Sequence, residues 1–211
     1  MMQFSLVEQI ALAIFLLSGI SFFLYHLLLR LKIILKGKSD FSIDQLPKRI
    51  VRVFDEVILH KKVASGKRKS AGILHALVMY GFIFFGLITI NHFGMAFGLP
   101  IFSDSIRHTY FLFFGAPWAI LCSIGILGLA YRRFVIKPEA LGKFSSTSAI
   151  VSVFIVTLMV TYLIDEFHIL SGAAEKFNWW LHSGVIGGFL FLIPQSKHMH
   201  LVLSPFNIFL R

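Results

Sequence analysis

Residues 70–103 read SAGILHALVMYGFIFFGLITINHFGMAFGLPIFS, and this run of 34 residues contains no Asp, Glu, Lys or Arg. A helix needs about 20 apolar residues to cross the roughly 30 Å hydrocarbon core of a bilayer. The run is long enough for one crossing and for a loop that starts at Gly98-Leu99-Pro100. It therefore predicts a membrane-spanning helix, with lipid as the solvent of the fold.

Four further charge-free runs cover residues 9–29, 108–131, 144–164 and 177–196. The whole chain is 57 % apolar and 14 % charged, and its mean hydropathy is +0.81. This composition excludes a soluble enzyme, a secreted disulfide scaffold and a disordered tail. The sequence predicts an all-α integral membrane protein, a single domain over 1–211, with five transmembrane helices at 9–29, 71–97, 108–131, 144–166 and 178–197.

Lysine and arginine are distributed very unevenly between the connecting segments. Of the 20, twelve lie in residues 30–69, four in 132–143 and two after residue 196, whereas the other side has only Arg107 and Lys176. Cytoplasmic loops of membrane proteins carry the excess of Lys and Arg. The pattern predicts an N-terminus outside and a C-terminus in the cytoplasm, and it explains the net charge of +10 without a nucleic acid partner.

The first cytoplasmic loop, residues 30–70, contains a helical pattern of its own. Apolar residues recur at helical spacing from Leu46 to Ile58, with basic residues between them. This pattern predicts an amphipathic helix on the cytoplasmic membrane face. Such a helix either docks a partner or lies on anionic lipid.

Nine histidines are many for so apolar a chain, and an imidazole inside a membrane is a functional candidate by default. The only cysteine is Cys122, so these residues cannot form a cysteine-ligated iron–sulfur cluster. If the chain carries out redox chemistry, its histidines must hold the cofactor.

Two pairs of histidines are candidate haem ligands, and the second pair has the less regular spacing. His182 and His200 are 18 residues apart, about five turns, which places them on one face about 27 Å apart. His75 and His92 are 17 residues apart on the second helix, about 100° from one another. Because the two helices run in opposite directions, His75 is expected to lie level with His200, and His92 with His182. Two stacked bis-imidazole sites would hold two b-type haems.

Glycines lie between the paired histidines on both helices. A glycine allows either a flat macrocycle or another helix to approach the backbone, and the pattern favours both equally. They are Gly72, Gly81 and Gly86 on the second helix, and Gly184, Gly187 and Gly188 on the last.

The run HSGVIGGFLFLIPQSKHMH, residues 182–200, resembles the final helix of the nitrate reductase gamma subunit family. That family has a His, a Pro-x-Ser-basic element twelve residues on, and a second His eighteen residues after the first. Residues 72–75 (GILH) and 91–95 (NHFGM) resemble its second helix. Residues 204–207 (SPFN) resemble the membrane cytochrome b parts of heterodisulfide-reductase-like iron–sulfur oxidoreductases.

The resemblance implies a dihaem, quinone-linked cytochrome b of a respiratory chain in a prokaryotic cytoplasmic (inner) membrane. The haem iron ligands that it implies are His182, His200 and His75. The family has its fourth ligand ten residues after the first, where this sequence has Phe85. Either His92 replaces that ligand, or the second haem is absent or differently ligated.

The resulting hypothesis is electron transfer between the quinone pool, menaquinone or ubiquinone, and a cytoplasmic redox partner. The partner would be a heterodisulfide reductase-like iron–sulfur subunit or a fused domain. Candidate quinone-binding and proton-handling residues at the outer ends of the helices are Asp165, Glu166, His168 and His108. The alternatives are a haem-free membrane anchor of an oxidoreductase complex and a small ion transporter.

Overall fold

The structure is a computed structural model, and it describes residues 3–36, 44–59, 61 and 69–210. Every regular element within these ranges is helical, which confirms the all-α prediction. In chain order the α-helices are α1 (Leu6–Leu35), α2 (Leu46–Val53), α3 (Lys69–Ala96), α4 (Asp104–Tyr110), α5 (Ala116–Tyr131), α6 (Ser146–Glu166), α7 (Gly172–Leu192) and α8 (His200–Leu210). Short π-helical segments follow α2, α4 and α5, and 3-10 turns precede α6 and α8.

Four helical segments of the described chain are long and apolar enough to cross a membrane: Leu6–Leu35, Lys69–Ala96, Asp104–Ile136 and Ser146–Glu166. The third of them is α4 and α5 with their π-helical segments. α7 has 21 residues, but its first turns are polar because they contain Glu175, Lys176 and Asn178. Apolarity and length therefore support four crossings, and the fifth stays a prediction.

The last predicted span is where sequence and structure differ most. α7 ends at Leu192, and a turn and a short 3-10 segment separate it from α8. Pro194 explains the break, because proline has no N–H and its ring blocks the preceding helical turn. His182 and His200 therefore lie on different helices. The expectation that one continuous helix aligns them on one face is wrong.

The described chain forms two compact units, Met1–Ala13 with Ile73–Ile186, and Ile14–Gly72 with Gly187–Arg211. In the first unit α5 packs against α6, and both helices carry buried apolar side chains. These side chains are Ala119, Cys122 and Ile126 of α5, and Val151, Ile155 and Met159 of α6. In the same unit a Cβ at Gly81 would lie 2.8 Å from the Cys122 sulfur, so this glycine serves close helix packing.

The second unit contains the predicted amphipathic helix. The helix consists of α2 and the π-helical segment Phe54–Ile58. Arg49 joins α2 to α8, since its Nη1 donates to the Phe209 carbonyl at 2.9 Å. Ile50 and Phe54 remain exposed. The rest of the loop, residues 37–43, 60 and 62–68, lies outside the described residues.

Glycine-mediated packing between α3 and α5 gives a stability prediction. A Cβ at Gly125 would lie 2.8 Å from the Leu74 carbonyl oxygen and 3.1 Å from side-chain atoms of Leu77 and Val78. Gly125→Ala is therefore expected to destabilise the first unit by about 1–3 kcal/mol, because backbone has to move. Thermal unfolding in detergent measures the change. Gly86→Ala is the matched control, since no atom lies within 4 Å of a Cβ there and its stability should not fall. Equal loss in both variants would contradict the packing argument.

Candidate functional site

His182 is anchored through one ring nitrogen. Its Nδ1 lies 2.7 Å from the Thr161 hydroxyl oxygen, which brings α7 against α6. Asn178, one turn earlier on α7, donates its side-chain N–H to the Thr161 carbonyl at 2.9 Å. Asn178 and His182 are four residues apart and therefore share a helix face. Together they hold α7 to a single residue of α6.

His92 comes from α3 and is buried in the same region. Its Nε2 lies 3.0 Å from the Ser183 hydroxyl oxygen. Its ring stacks on Trp179, with centroids 4.7 Å apart and an interplanar angle of 15°. His92 and His182 are neighbours, with ring centroids 5.0 Å apart and planes inclined by 52°. We call His92, Thr161, Trp179, His182 and Ser183 the histidine cluster.

The sequence placed His92 and His182 at one level, and the structure brings their rings into contact. Both line a cavity of about 30 Å³, which is close to the share of one water molecule in the liquid. Two imidazoles bound to one haem iron lie on opposite faces of the macrocycle. A haem held by both residues therefore requires the two rings to move apart.

Three charged residues, Arg107, Asp165 and Glu166, adjoin the histidine cluster, and we call them the charged group. Arg107 pairs with Glu166 at 3.0 Å, and the Glu166 side chain is only 9 % exposed. The neighbouring Asp165 carboxylate makes no hydrogen bond or salt bridge with any described residue. All three residues line the small cavity together with His92 and His182. The end of α6 thus brings two carboxylates to the two imidazoles, and α4 brings a guanidinium.

A larger cavity of about 310 Å³ opens beside the charged group. Its aromatic walls are Phe4 and Trp179, and its polar walls include Arg107, Asp165 and His168. Ligand cavities of this size start at about 300 Å³ and combine apolar walls with a few polar groups. Asp165 lines this cavity and the small one, so it connects the two.

The remaining predicted site residues lie in different surroundings. His168 adopts a left-handed conformation, φ 51°, in the turn after α6 and is exposed. His108 is exposed on α4 and lines neither of the two cavities. His75 lies near the start of α3 in the first unit, and His200 begins α8 in the second. The pairing of His75 with His200 stays a prediction.

His200 is anchored in the same manner as His182. Its Nδ1 lies 2.9 Å from the Lys197 carbonyl oxygen. A carbonyl only accepts, so Nδ1 carries the proton and the lone pair is on Nε2. Metal-bound histidines usually donate their second ring N–H to such a partner. The donor chemistry of His182 and His200 therefore fits haem iron, although no group of three or more His, Cys, Asp or Glu side chains in the described ranges is arranged as a metal site.

Sequence reasoning missed several members of this region, among them Thr161, Ser183 and Arg107. Thr161 stands in an apolar run and gives no signal, since helical threonines commonly bond to their own backbone. Ser183 follows His182 directly, but only the fold shows that it meets His92. Arg107 had a readable signal, because it is one of two cations on its predicted side of the membrane.

Four helices of membrane-spanning length and apolarity among the described residues are features of a helical membrane protein, and the first unit contains a buried polar cluster. It is similar to FadF of Bacillus subtilis (strain 168), a probable iron–sulfur-binding oxidoreductase, with 31 % identity over 219 aligned positions. The alignment covers 89 % of this chain but only 30 % of FadF. No protein-family model and no solved structure matches the chain.

This relationship supports an oxidoreductase-related family and is consistent with redox electron transfer. It does not support the nitrate reductase gamma subunit family specifically, which stays a resemblance. Iron–sulfur binding is said of FadF, whereas the 211 residues here contain one cysteine.

Proposed function

We propose that the chain is the haem b-containing membrane part of an oxidoreductase and carries electrons between the quinone pool and a cytoplasmic iron–sulfur partner. The observation that carries the proposal is the meeting of His92 and His182, from two helices, beside a cavity lined by carboxylates. Ionisable residues inside membrane helices are costly to bury, so their presence there marks a functional site by default.

Haem would be held by His182 and His92 at this end, and by His75 and His200 at the other. Two haems are proposed, with one as the minimum. Haem iron, when bound, accepts and passes on one electron at a time. Thr161 and the Lys197 carbonyl orient two of the ligands by hydrogen bonds to Nδ1. Buried aromatic side chains around His92, with Trp179 against its ring, exclude water.

Quinol would bind in the larger cavity, where Phe4 and Trp179 offer aromatic walls for its ring. Oxidation of a quinol releases two protons and two electrons. Asp165 and His168 line this cavity and are the residues that take up the protons. Glu166 holds Arg107 in an ion pair and thereby fixes the charge next to Asp165.

The membrane arrangement is part of the proposal. α7 makes the fifth crossing, with the N-terminus outside and the C-terminus in the cytoplasm of a prokaryotic cell. The charged group then lies at the outer face, so protons from quinol leave outward. The lysine- and arginine-rich segments face the cytoplasm, where the iron–sulfur subunit or domain docks.

A spectrum of the purified full chain tests the proposal. The dithionite-reduced minus oxidised difference spectrum should show a split b-type α band, and the pyridine haemochrome assay should give two haems per chain. Addition of a soluble quinol such as menadiol should reduce the haem without dithionite. A protein without haem contradicts the proposal and leaves a membrane anchor or an ion transporter.

A further inference from the structure

We infer that Thr161 fixes the tautomer of His182 and thereby places the lone pair of the imidazole on Nε2. Thr161 is then a positioning residue for a ligand that binds through His182. The tautomer itself follows from hydrogen-bond geometry alone, whereas its importance for haem rests on the proposed function.

The argument begins with the hydroxyl proton of Thr161. Its oxygen lies 2.6 Å from the Thr157 carbonyl oxygen and 3.2 Å from that of Leu158. Carbonyl oxygens accept and never donate, and a hydroxyl has a single proton. The Thr161 proton is therefore used within α6, on the carbonyl four residues earlier.

The second step follows for His182. At 2.7 Å from the same hydroxyl oxygen, its Nδ1 must supply the proton of that hydrogen bond. An unprotonated Nδ1 would draw the Thr161 proton away and leave two oxygens 2.6 Å apart with no hydrogen between them. The neutral imidazole therefore carries its proton on Nδ1 and its lone pair on Nε2.

The third step concerns the availability of that lone pair. His182 lines the small cavity with Arg107 and Asp165, and Nε2 makes no hydrogen bond within the described residues. Iron binds a neutral imidazole through such a nitrogen, and a hydrogen bond on the other nitrogen sets the ring orientation. Thr161 supplies that second bond.

Neighbouring contacts hold the backbone of Thr161 in place. The Thr161–His182 contact also differs from the contact between Ser183 and His92. Asn178 donates to the Thr161 carbonyl and is itself buried, so the backbone at Thr161 is fastened to α7. By contrast, the direction of the bond between Ser183 and His92 is open, because either group can donate. Within the histidine cluster, only the Thr161 contact forces a tautomer.

Nuclear magnetic resonance of the full chain reads the tautomer directly. The chain is labelled with ¹⁵N-histidine, prepared in detergent from cells limited for haem synthesis, and His182 is assigned by its loss in His182→Gln. Two-bond ¹H–¹⁵N spectra should show the Nδ1–H form for the natural protein and for Thr161→Ser. Thr161→Val should shift His182 towards the Nε2–H form, and Thr161→Ala serves if the valine variant does not fold.

Two outcomes overturn the inference: an Nε2–H tautomer in the natural protein, or an unchanged tautomer when the hydroxyl is removed. Haem affinity gives an independent reading, since loss of such an orienting partner weakens metal binding by about 10–100-fold. Thr161→Val should show that loss and Thr161→Ser should not. A chain that binds no haem at all contradicts the proposed function, whereas the tautomer result stands by itself.

Discussion

His182→Ala is expected to lower the haem content from two per chain to one and to turn the split α band into a single band. The His182 imidazole lines the small cavity, and it is the one group of the histidine cluster whose hydrogen bond forces a lone pair onto a ring nitrogen. The Thr161 hydroxyl that would remain there already donates its proton to the Thr157 carbonyl. Pyridine haemochrome content and the difference spectrum measure the change.

Two further histidine variants make this test specific. His200→Ala should remove the other haem, because His200 has the same anchored Nδ1. His26→Ala should keep both haems, since its ring packs between Phe22 and Tyr25 at centroid distances of 4.5 and 5.4 Å. If His182→Ala retains both haems at full occupancy, His182 is not a ligand. If His92→Ala retains both, the contact of its ring with His182 is packing only.

The bounds of most helices could be predicted from the sequence, because a long apolar run inside lipid has few alternatives to a helix. The charge-free run 144–164 predicted a span of 144–166, and the helix covers Ser146–Glu166. Asp165 and Glu166 end that helix, so their position at its end followed from the run itself. Backbone groups inside a membrane must be satisfied within the helix, and charges therefore mark its ends.

The sequence also contains a signal for the break before His200, which is Pro194. That signal competes with the regular spacing of His182 and His200. The 18-residue spacing favoured one continuous helix, whereas Pro194 ends α7 at Leu192. Proline removes a backbone hydrogen bond and clashes with the preceding turn, so it should have carried more weight than the spacing.

The partners of the histidines were not readable, because they depend on how helices are rotated against one another. Thr161 lies on α6, a helix to which the sequence assigned no haem ligand, and its side chain meets His182 only through the packing of α6 and α7. Periodicity gives the face of one helix at a time. It does not give the distance of 5.0 Å between the rings of His92 and His182.

Asp165→Asn is expected to slow reduction of the haem by menadiol by about 100-fold or more, the usual contribution of a positioned general base. Asp165 lines both cavities, and its carboxylate forms no hydrogen bond or ion pair within the described chain, so its oxygens are available to a quinol hydroxyl. Asparagine keeps the shape of the side chain but cannot take up the proton.

The readouts separate proton uptake from damage to the protein. Haem content and reduction by dithionite should be unchanged in Asp165→Asn, because neither needs a proton acceptor in the cavity. Glu139→Gln is the matched control, since Glu139 lies in the short turn Glu139–Leu141 and lines neither cavity. A normal menadiol rate in Asp165→Asn, with loss in Glu166→Gln, would transfer the role to Glu166 and its ion pair with Arg107. Normal rates in both variants would mean that quinol is oxidised elsewhere on the protein.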